Sequence, residues 1–252
     1  MDLSVLIITK NEEKNIRACL ESVKWANEIV IIDSYSQDAT LTICKEYTDK
    51  IILQEWQGYS AQKNIGHAHC KNNWILSIDA DERVSPTLHE EIEHVIKSNQ
   101  FSAYRIFIRD YMFGKWIEYG SWPQQCHIRL YHKNAAAWQS AVHEKLVIQG
   151  DVGILTSPLL HYSHLTINKF MMKMNTYTDI EARRWYEEGI RKNWSIIIFS
   201  SIRIFCLEYI QRQGFRDKGH GFVLAILMSV YHFLARIKLW ELWYKHDRGI
   251  SQ

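Results

Sequence analysis

The sequence is poor in several features that would place it in other protein classes. Only three of its 252 residues are proline, and no low-complexity segment or internal repeat is present, so long disordered linkers are not expected. The net charge of +2 excludes a nucleic-acid binder that depends on bulk positive charge. The five cysteines are scattered without a CxxC pair, which predicts reduced, mostly buried thiols in an intracellular protein.

Three further features are absent: a signal peptide, a glycine-rich phosphate loop and a clean membrane-spanning run. The N-terminal apolar run is too short for a signal peptide and lacks a basic segment before it. Neither GxxxxGK[ST] nor GxGxxG occurs, so a glycine-rich phosphate loop is excluded. Two apolar runs in the C-terminal third are interrupted by charges, and neither reaches the roughly 20 clean residues of a membrane-spanning helix.

The first hundred residues alternate between two kinds of segment. Short apolar runs predict four strands, and the segments between them carry apolar residues at helical spacing. The predicted strands are "LSVLIIT", "EIVIID", "KIILQ" and "WILSID". Strands that alternate with helices indicate an α/β fold with a parallel sheet covered on both faces. Residues 101–154 read as mixed and mostly extended, and the pattern from residue 166 onward is helical.

Polar side chains follow every one of these strands. In open parallel sheets, ligands bind outside the carboxyl ends of the strands. The residues expected there are Thr9, Lys10, Asn11, Glu12, Asp33, Ser34, Gln54, Glu55, Asp79, Asp81 and Glu82. Ordinary loop polarity explains any single position, but four such ends on one edge favour a ligand site.

The acids that close the fourth strand are the most informative of these groups. Asp79 and Asp81 are two residues apart in an extended segment, so their side chains point the same way. Two carboxylates on one face repel each other unless a cation lies between them. Hard oxygen ligands favour Mg²⁺ or Mn²⁺, which keep water and share a ligand phosphate.

Three segments of the sequence resemble a known family. The segments "TKNEEKNIRACLESV", "IVIIDSYSQDAT" and "AQKNIGHAHCKNNWILSIDADERV" resemble family 2 inverting glycosyltransferases with the GT-A fold. With the later "VHEKL", they are most similar to the small bacterial lipopolysaccharide-core glucosyltransferases of the WaaE/KdtX type. The resemblance covers about residues 1–165. It implies a Rossmann-like, mostly parallel sheet, a UDP-sugar donor and a divalent metal.

The resemblance also implies roles for the matching positions. Those implied for the donor site are Thr9, Asn11 and Glu12 beside the nucleoside, Asp33 at uracil, Lys63 and Asn64 near the uridine or diphosphate, Asp79 at the ribose and Asp81 at the metal. A carboxylate such as Asp33 accepts the imide N–H of uracil, which cytosine lacks. A metal that bridges the two phosphates stabilises charge on the departing diphosphate.

Inverting transfer in one displacement needs a general base near the acceptor hydroxyl. The candidate is Glu144 in "SAVHEKL", where the resemblance places an acid on the acceptor side. Asp110 and Glu118 are the alternatives, and His143 is a weaker one. The alternative for Glu144 itself is a solvent-exposed glutamate at a strand edge, without a role in catalysis.

Several other residues have two explanations each. His161 in "HYSH" completes the metal or diphosphate site, or it is a structural histidine. Arg129 reaches the diphosphate or pairs with an acid. Trp122 and Trp138 are sugar platforms or core residues, with core the safer expectation. The "HAHC" segment has no spacing that converges on a metal from a helix.

The C-terminal third differs in composition from the rest. Residues 183–252 contain twelve Lys/Arg and six Asp/Glu, which gives a charge of +6, together with many Trp and Tyr. Apolar helices with basic residues favour a membrane surface of anionic lipids. Packing on the domain core or in a homo-oligomer interface is the alternative.

The sequence therefore predicts residues 1–165 as a nucleotide-sugar-binding catalytic domain and residues 166–252 as a helical extension. The expected reaction is metal-dependent, inverting transfer of a hexose, glucose from UDP-glucose, to a lipid-anchored saccharide. The expected acceptor is the inner-core heptose of lipopolysaccharide, at the cytoplasmic face of the membrane. Alternatives are a capsule, glycoprotein or polyprenyl-linked acceptor, a nucleotidyltransferase, and an inactive nucleotide-sugar-binding scaffold.

Overall fold

The structure, a computed structural model, describes residues 2–139, 145–164, 166–191 and 194–249. The chain divides into two compact units. The first contains Met1–Arg109 and Gln124–Ser163, and the second contains Asp110–Pro123 and His164–Gln252. The expected boundary near residue 165 differs from this division over residues 110–123, which belong to the second unit.

Eleven strands are present in the described residues. They are β1 (Leu3–Thr9), β2 (Glu28–Asp33), β3 (Ile51–Leu53), β4 (Trp74–Asp79), β5 (Glu82–Arg83), β6 (Ala103–Met112), β7 (Lys115–Trp116), β8 (Cys126–His132), β9 (Ala136–Gln139), β10 (Lys145–Ile148) and β11 (Val152–His164). Nine of them form one sheet in the order β3-β2-β1-β4-β8-β6-β11-β5, with β7 beside β6. β9 and β10 form a separate antiparallel pair.

The four strands predicted from the sequence form the parallel part of the sheet. β1 pairs in parallel with β2 on one side and with β4 on the other, and β2 pairs in parallel with β3. Helices α1 (Ile16–Val23), α2 (Thr40–Cys44) and α3 (Tyr59–His69) lie between successive strands of this part. The α/β prediction is therefore confirmed, and antiparallel strands extend the sheet beyond β4.

Every residue of β1 is buried, which explains its continuous apolar run. Val5 and Ile7 pack on one face with Leu20 of α1. Leu6 points to the opposite face, where Cδ1 of Leu6 would lie 2.1 Å from a Cβ added to Gly66 of α3. Alternate residues thus build two cores, one on each face of the sheet.

Helix α4 (Pro86–Ser98) follows the acidic segment and has clear start and stop signals. The Oγ of Ser85 accepts a hydrogen bond from the backbone N–H of Leu88 at 3.2 Å, and Pro86 occupies the first turn. The helix ends at Asn99, whose φ of 48° is left-handed. Serine before and asparagine after are the residues that helix capping favours.

The second unit is mainly helical, as predicted. Its helices are α5 (Ile167–Glu187), α6 (Trp194–Cys206) and α7 (Gly219–Asp247). α6 continues into a π-helical turn, Leu207–Gln211, and a 3-10 turn, Gly214–Asp217. Met112 and Ile117, in residues 110–123 (the inserted segment), pack against Leu224 of α7.

Two buried acids hold the inserted segment to the turn between α6 and α7. Asp217 accepts hydrogen bonds from the backbone N–H groups of Glu118 and Tyr119 at 3.0 and 2.9 Å, and from Nζ of Lys115 at 2.8 Å. Glu208 accepts one from the backbone N–H of Ser121 at 2.9 Å. These bonds explain why residues 110–123 group with the helices.

By length and composition alone, α7 could cross a membrane. It has 29 residues and a window of mean hydropathy 1.7, of which 22% is buried within the structure. From the sequence, neither apolar run is predicted to be long and clean enough for this. Arg236 and Lys238 interrupt the apolar run, and the helix continues past them to Asp247.

Candidate active site

The strand ends at which the sequence predicts a ligand lie along one edge of the sheet. In the parallel register, Thr9 is opposite Asp33, and Ile8 is opposite Asp79. The carboxyl ends of β1, β2 and β4 therefore lie side by side, about 5 Å apart from strand to strand. Thr9 is buried, and its Oγ1 has no hydrogen-bond partner among the described residues.

The loops that follow β1 and β2 are joined by hydrogen bonds. The backbone N–H of Asn11 donates to Oγ of Ser36, and Oδ1 of Asn11 accepts from the backbone N–H of Gln37, both at 2.8 Å. The backbone N–H of Glu12 donates to Oγ1 of Thr40, also at 2.8 Å. Asn11 has a φ of 54°, a left-handed conformation that asparagine tolerates better than most residues. Asn11 and Glu12 therefore shape the edge of the site.

Asp33 lies inside this loop structure. It is fully buried, and its two oxygens accept hydrogen bonds from the backbone N–H and the Oγ of Ser36 at 2.7 and 2.6 Å. A direct bond from uracil to this carboxylate, as the resemblance implies, would require the loop at Ser36 to move. The role of Ser36 was not predicted, and its short spacing from Asp33 is the only feature of the sequence that suggests it.

Asp79 lies between two cations. Oδ2 of Asp79 is 3.2 Å from a terminal nitrogen of Arg129, and Oδ1 is 3.8 Å from Nζ of Lys63. Burial raises the pKa of Asp79, but the charges of Lys63 and Arg129 outweigh it and hold this pKa well below its usual range. Asp79 is therefore a carboxylate over the whole physiological range, and Arg129 pairs with acids.

Glu82 supports the turn between Asp79 and Asp81. It is 1% exposed, it accepts a hydrogen bond from the backbone N–H of Asp79 at 2.8 Å, and it pairs with Arg129. Burial and the charge of Asp79 raise the pKa of Glu82 to about 7, although Arg129 opposes the change. Glu82 appeared in the sequence only as one of three acids, and its pairing with Arg129 was not predicted.

Asp81 and His161 are brought together by a short strand pair. His161 is opposite Glu82 in the β5–β11 register, and the backbone N–H of Tyr162 donates to the carbonyl of Asp81 at 2.9 Å. Oδ2 of Asp81 is 3.4 Å from Nε2 of His161. The described residues contain no group of three or more His, Cys, Asp or Glu side chains that would hold a metal ion. Asp81 and His161 would thus supply two ligands, and their metal role remains a prediction.

Lys63 and Asn64 are neighbours on α3, one buried and one exposed, and both contact Trp138. Lys63 is buried, and its Nζ lies 4.8 Å from the ring centre of Trp138. Asn64 is exposed, and its amide donates to the carbonyl of Trp138 at 2.9 Å. Trp138 is buried, and its ring N–H donates to the hydroxyl of Tyr131 at 3.3 Å. These contacts are those of a core tryptophan.

Comparisons with known proteins agree with this arrangement. The family model described as "Glycosyl transferase family 2" matches residues 4–143, more than half of the chain. The chain belongs to this family. The lipopolysaccharide core biosynthesis glycosyltransferase LpsC of Rhizobium meliloti (strain 1021) is 31% identical, over 96% of this chain and 93% of its own length. An uncharacterised glycosyltransferase of Rickettsia typhi is 32% identical, over 99% of this chain and 90% of its own length.

Solved structures give a weaker likeness. Residues 1–349 of Staphylococcus aureus TarS, crystallised with UDP-GlcNAc, match 99% of this chain and 92% of their own, with a TM-score of 0.48 and 14% identity. The family and the LpsC relationship rest on sequence. The protein is an inverting glycosyltransferase related to one of lipopolysaccharide core biosynthesis, and the nucleotidyltransferase alternative is wrong.

Of the candidate bases of this glycosyltransferase, the structure describes only some. Glu144 and its neighbour His143 lie outside the described residues, and β10 begins directly after them at Lys145. Asp110 and Glu118 belong to the second unit, where Asp110 is buried and the backbone of Glu118 is bound by Asp217. The choice of Glu144 remains a prediction.

Proposed function

We propose that the protein transfers glucose from UDP-glucose to a lipid-anchored saccharide, the inner-core heptose of lipopolysaccharide. The observation that carries the proposal is the charged cluster at the end of β4, formed by Asp79, Asp81, Glu82, Lys63 and Arg129, in which Asp79 is paired with Lys63 and Arg129. The likeness to LpsC supports an acceptor in the lipopolysaccharide core.

The charges of this cluster favour a donor that arrives with a metal. Lys63 and Arg129 carry two positive charges, which Asp79 and Asp81 match with two negative ones, and Glu82 adds a third negative charge when it is ionised. The cluster therefore has no excess positive charge to attract the diphosphate of a nucleoside diphosphate sugar. A divalent cation would supply that positive charge and let the diphosphate bind.

The residues present fit a hard divalent cation such as Mg²⁺ or Mn²⁺. Asp81 offers carboxylate oxygen and His161 offers a ring nitrogen, and their closest atoms are 3.4 Å apart. Such ions keep several waters and take the rest of their ligands from substrate phosphates, so two protein ligands suffice. When bound, the metal supplies positive charge that stabilises the departing diphosphate.

The displacement itself requires a base and a leaving group. The acceptor oxygen forms its bond to C1 of the donor sugar, the bond from C1 to the diphosphate oxygen breaks, and UDP leaves with that electron pair. We assign Glu144 as the base that takes the proton of the acceptor hydroxyl, with Asp110 and Glu118 as alternatives. Lys63 and Arg129 hold Asp79 ionised and orient it.

We assign the second unit to a cytoplasmic membrane surface. At the turn between α6 and α7, Ile210, Phe215 and Phe222 are exposed, and Arg216 and Lys218 are exposed beside them. Both acids of this turn are buried and bind the backbone of the inserted segment. The exposed charge of the turn is thus positive, which suits anionic lipid headgroups, and the apolar rings suit the region below them.

Vesicle sedimentation tests this location. The full-length protein should sediment with vesicles that contain phosphatidylglycerol and less with pure phosphatidylcholine, and high salt should weaken the binding. Phe215→Asp and Lys218→Glu should reduce it, whereas Met172→Asp, at an exposed position of α5, should not. Wild-type binding in both variants would contradict this surface. Self-association of wild-type protein without lipid would favour the homo-oligomer alternative.

The donor is tested by calorimetry. UDP should bind in the presence of Mn²⁺, and binding should be lost with EDTA or with Asp81→Ala. Asp49→Ala is the matched control, because Asp49 is exposed at the opposite end of β3. Binding that survives both EDTA and Asp81→Ala would refute the metal-linked donor site.

Product analysis separates the remaining alternatives. Transfer from UDP-glucose to purified lipopolysaccharide core would support the proposed acceptor. Transfer only to a capsule, glycoprotein or polyprenyl-linked glycan would replace that acceptor. UDP binding without transfer to any of them would favour an inactive nucleotide-sugar-binding scaffold.

A further inference from the structure

Tyr35 has a backbone conformation that its side chain makes unfavourable. It lies two residues after β2, and its φ of 57° is in the left-handed region. Glycine adopts this region without strain, whereas a residue with a Cβ does not. The chain therefore carries a tyrosine where a glycine would stabilise the loop.

Packing does not explain why tyrosine occupies this position. The residue is 53% exposed, and within the described part of the chain its ring and hydroxyl make no hydrogen bond or ring contact. Strained residues that persist without a packing role are concentrated at ligand sites. An exposed ring on a strained backbone thus points to a ligand.

The surroundings of Tyr35 indicate which part of a ligand it meets. Asp33 is paired with Leu53 across β2 and β3, and the backbone N–H of Gln54 donates to the carbonyl of Asp33 at 2.9 Å. Trp56, 47% exposed, follows β3 and contacts Tyr59 edge to face, with ring centres 4.6 Å apart. Exposed aromatic side chains therefore follow both strands on this side of the sheet edge.

The charged cluster lies on the other side of the same edge. In the strand order, β4 is two strands from β2, which corresponds to about 10 Å along the edge. A nucleoside diphosphate whose phosphates lie near Asp79 and Asp81 would extend its base toward β2 and β3. Flat rings stack on exposed aromatic side chains with little dependence on hydrogen-bond pattern.

We propose that Tyr35, together with Trp56 after the neighbouring strand, forms an aromatic subsite that stacks on the nucleobase of the donor. The inference rests on the proposed function, because it takes the donor to be a nucleoside diphosphate sugar. It adds a binding role for residues that the family resemblance did not assign. It also explains the loop strain, since the ring is held outward where the base arrives.

Calorimetry of UDP with Mn²⁺ tests the subsite in the full-length protein. Tyr35→Gly should weaken UDP binding about tenfold, within the range of about 5- to 150-fold given by base stacking on aromatic side chains. Tyr35→Phe should bind like the wild type. The melting temperature of Tyr35→Gly should be equal or higher, because glycine relieves the left-handed strain.

Asn99→Gly is the matched control. Asn99 also has a left-handed φ, 48°, but it ends α4 and lies outside the site, so UDP binding should not change. Saturation-transfer NMR adds a second readout, in which the uracil protons should lose saturation in Tyr35→Gly more than the ribose protons.

Three results would overturn the inference. Wild-type affinity in Tyr35→Gly would remove the subsite and leave the proposed donor intact. A Tyr35→Gly protein that loses both affinity and melting temperature would show that the ring supports the loop instead. No UDP binding by the wild type would refute the proposed donor, and the subsite with it.

Discussion

Removal of the Glu82 side chain should destabilise the protein strongly. Glu82 is almost fully buried, and it satisfies both Arg129 and the backbone N–H of Asp79. Glu82→Ala leaves that N–H unpaired, which costs about 1–3 kcal/mol, and breaks a buried ion pair, which costs about 3–5 kcal/mol. Because Asp79 still pairs with Arg129, we expect a loss of about 3–5 kcal/mol in total.

The change is measured by urea unfolding, followed by the fluorescence of the ten tryptophans. Glu82→Gln keeps an acceptor for the N–H and should cost less than Glu82→Ala. Glu93→Ala is the control, since Glu93 pairs with Lys97 on the surface of α4 and should contribute less than about 1 kcal/mol.

A double substitution separates the ion pair from simple loss of packing. Glu82→Leu with Arg129→Met removes both buried charges, so it should be more stable than either single variant. A Glu82→Ala protein with the wild-type urea midpoint would refute the reasoning. So would a double variant whose loss equals the sum of the single losses.

Three further outcomes are expected. Burial lowers the pKa of His67 in the folded protein. The free energy of unfolding should therefore be highest above the ordinary histidine pKa of 6.5 and should fall as the pH drops below it. His67→Gln should flatten this dependence, measured as the melting temperature against pH. Gly66→Ala should unfold at a urea concentration lower than the control Gly219→Ala, because only the first places a Cβ against Leu6. Asp217→Ala should increase hydrogen exchange at the backbone N–H groups of residues 118 and 119, which it binds.

The parallel part of the fold could be predicted because local patterns determine it. The apolar run at β1 and the helical spacing that follows it need no information from distant residues. The polar ends of these strands then share an edge by the geometry of parallel sheets. Thr9, Asp33 and Asp79 were placed together correctly for this reason.

Contacts between distant segments could not be predicted from local sequence patterns. Arg129 contacts Asp79 and Glu82 because β8 pairs with β4, and no local pattern in either strand predicts that pairing. The two hydrogen bonds that Asp33 accepts from Ser36 depend on the fold of the loop after β2, which the sequence pattern does not show. The grouping of residues 110–123 with the helices depends on acids about one hundred residues later.

The short pair of β5 and β11 determines when, during synthesis, Asp81 and His161 come together. Asp81 leaves the ribosome early, within the strand and helix repeats that can begin to fold as they emerge. His161 follows eighty residues later and reaches Asp81 only when β11 has paired with β5. A nascent chain that ends anywhere before this strand has the acidic turn without its histidine. The candidate metal site is thus completed late in synthesis, after most of the sheet has been made.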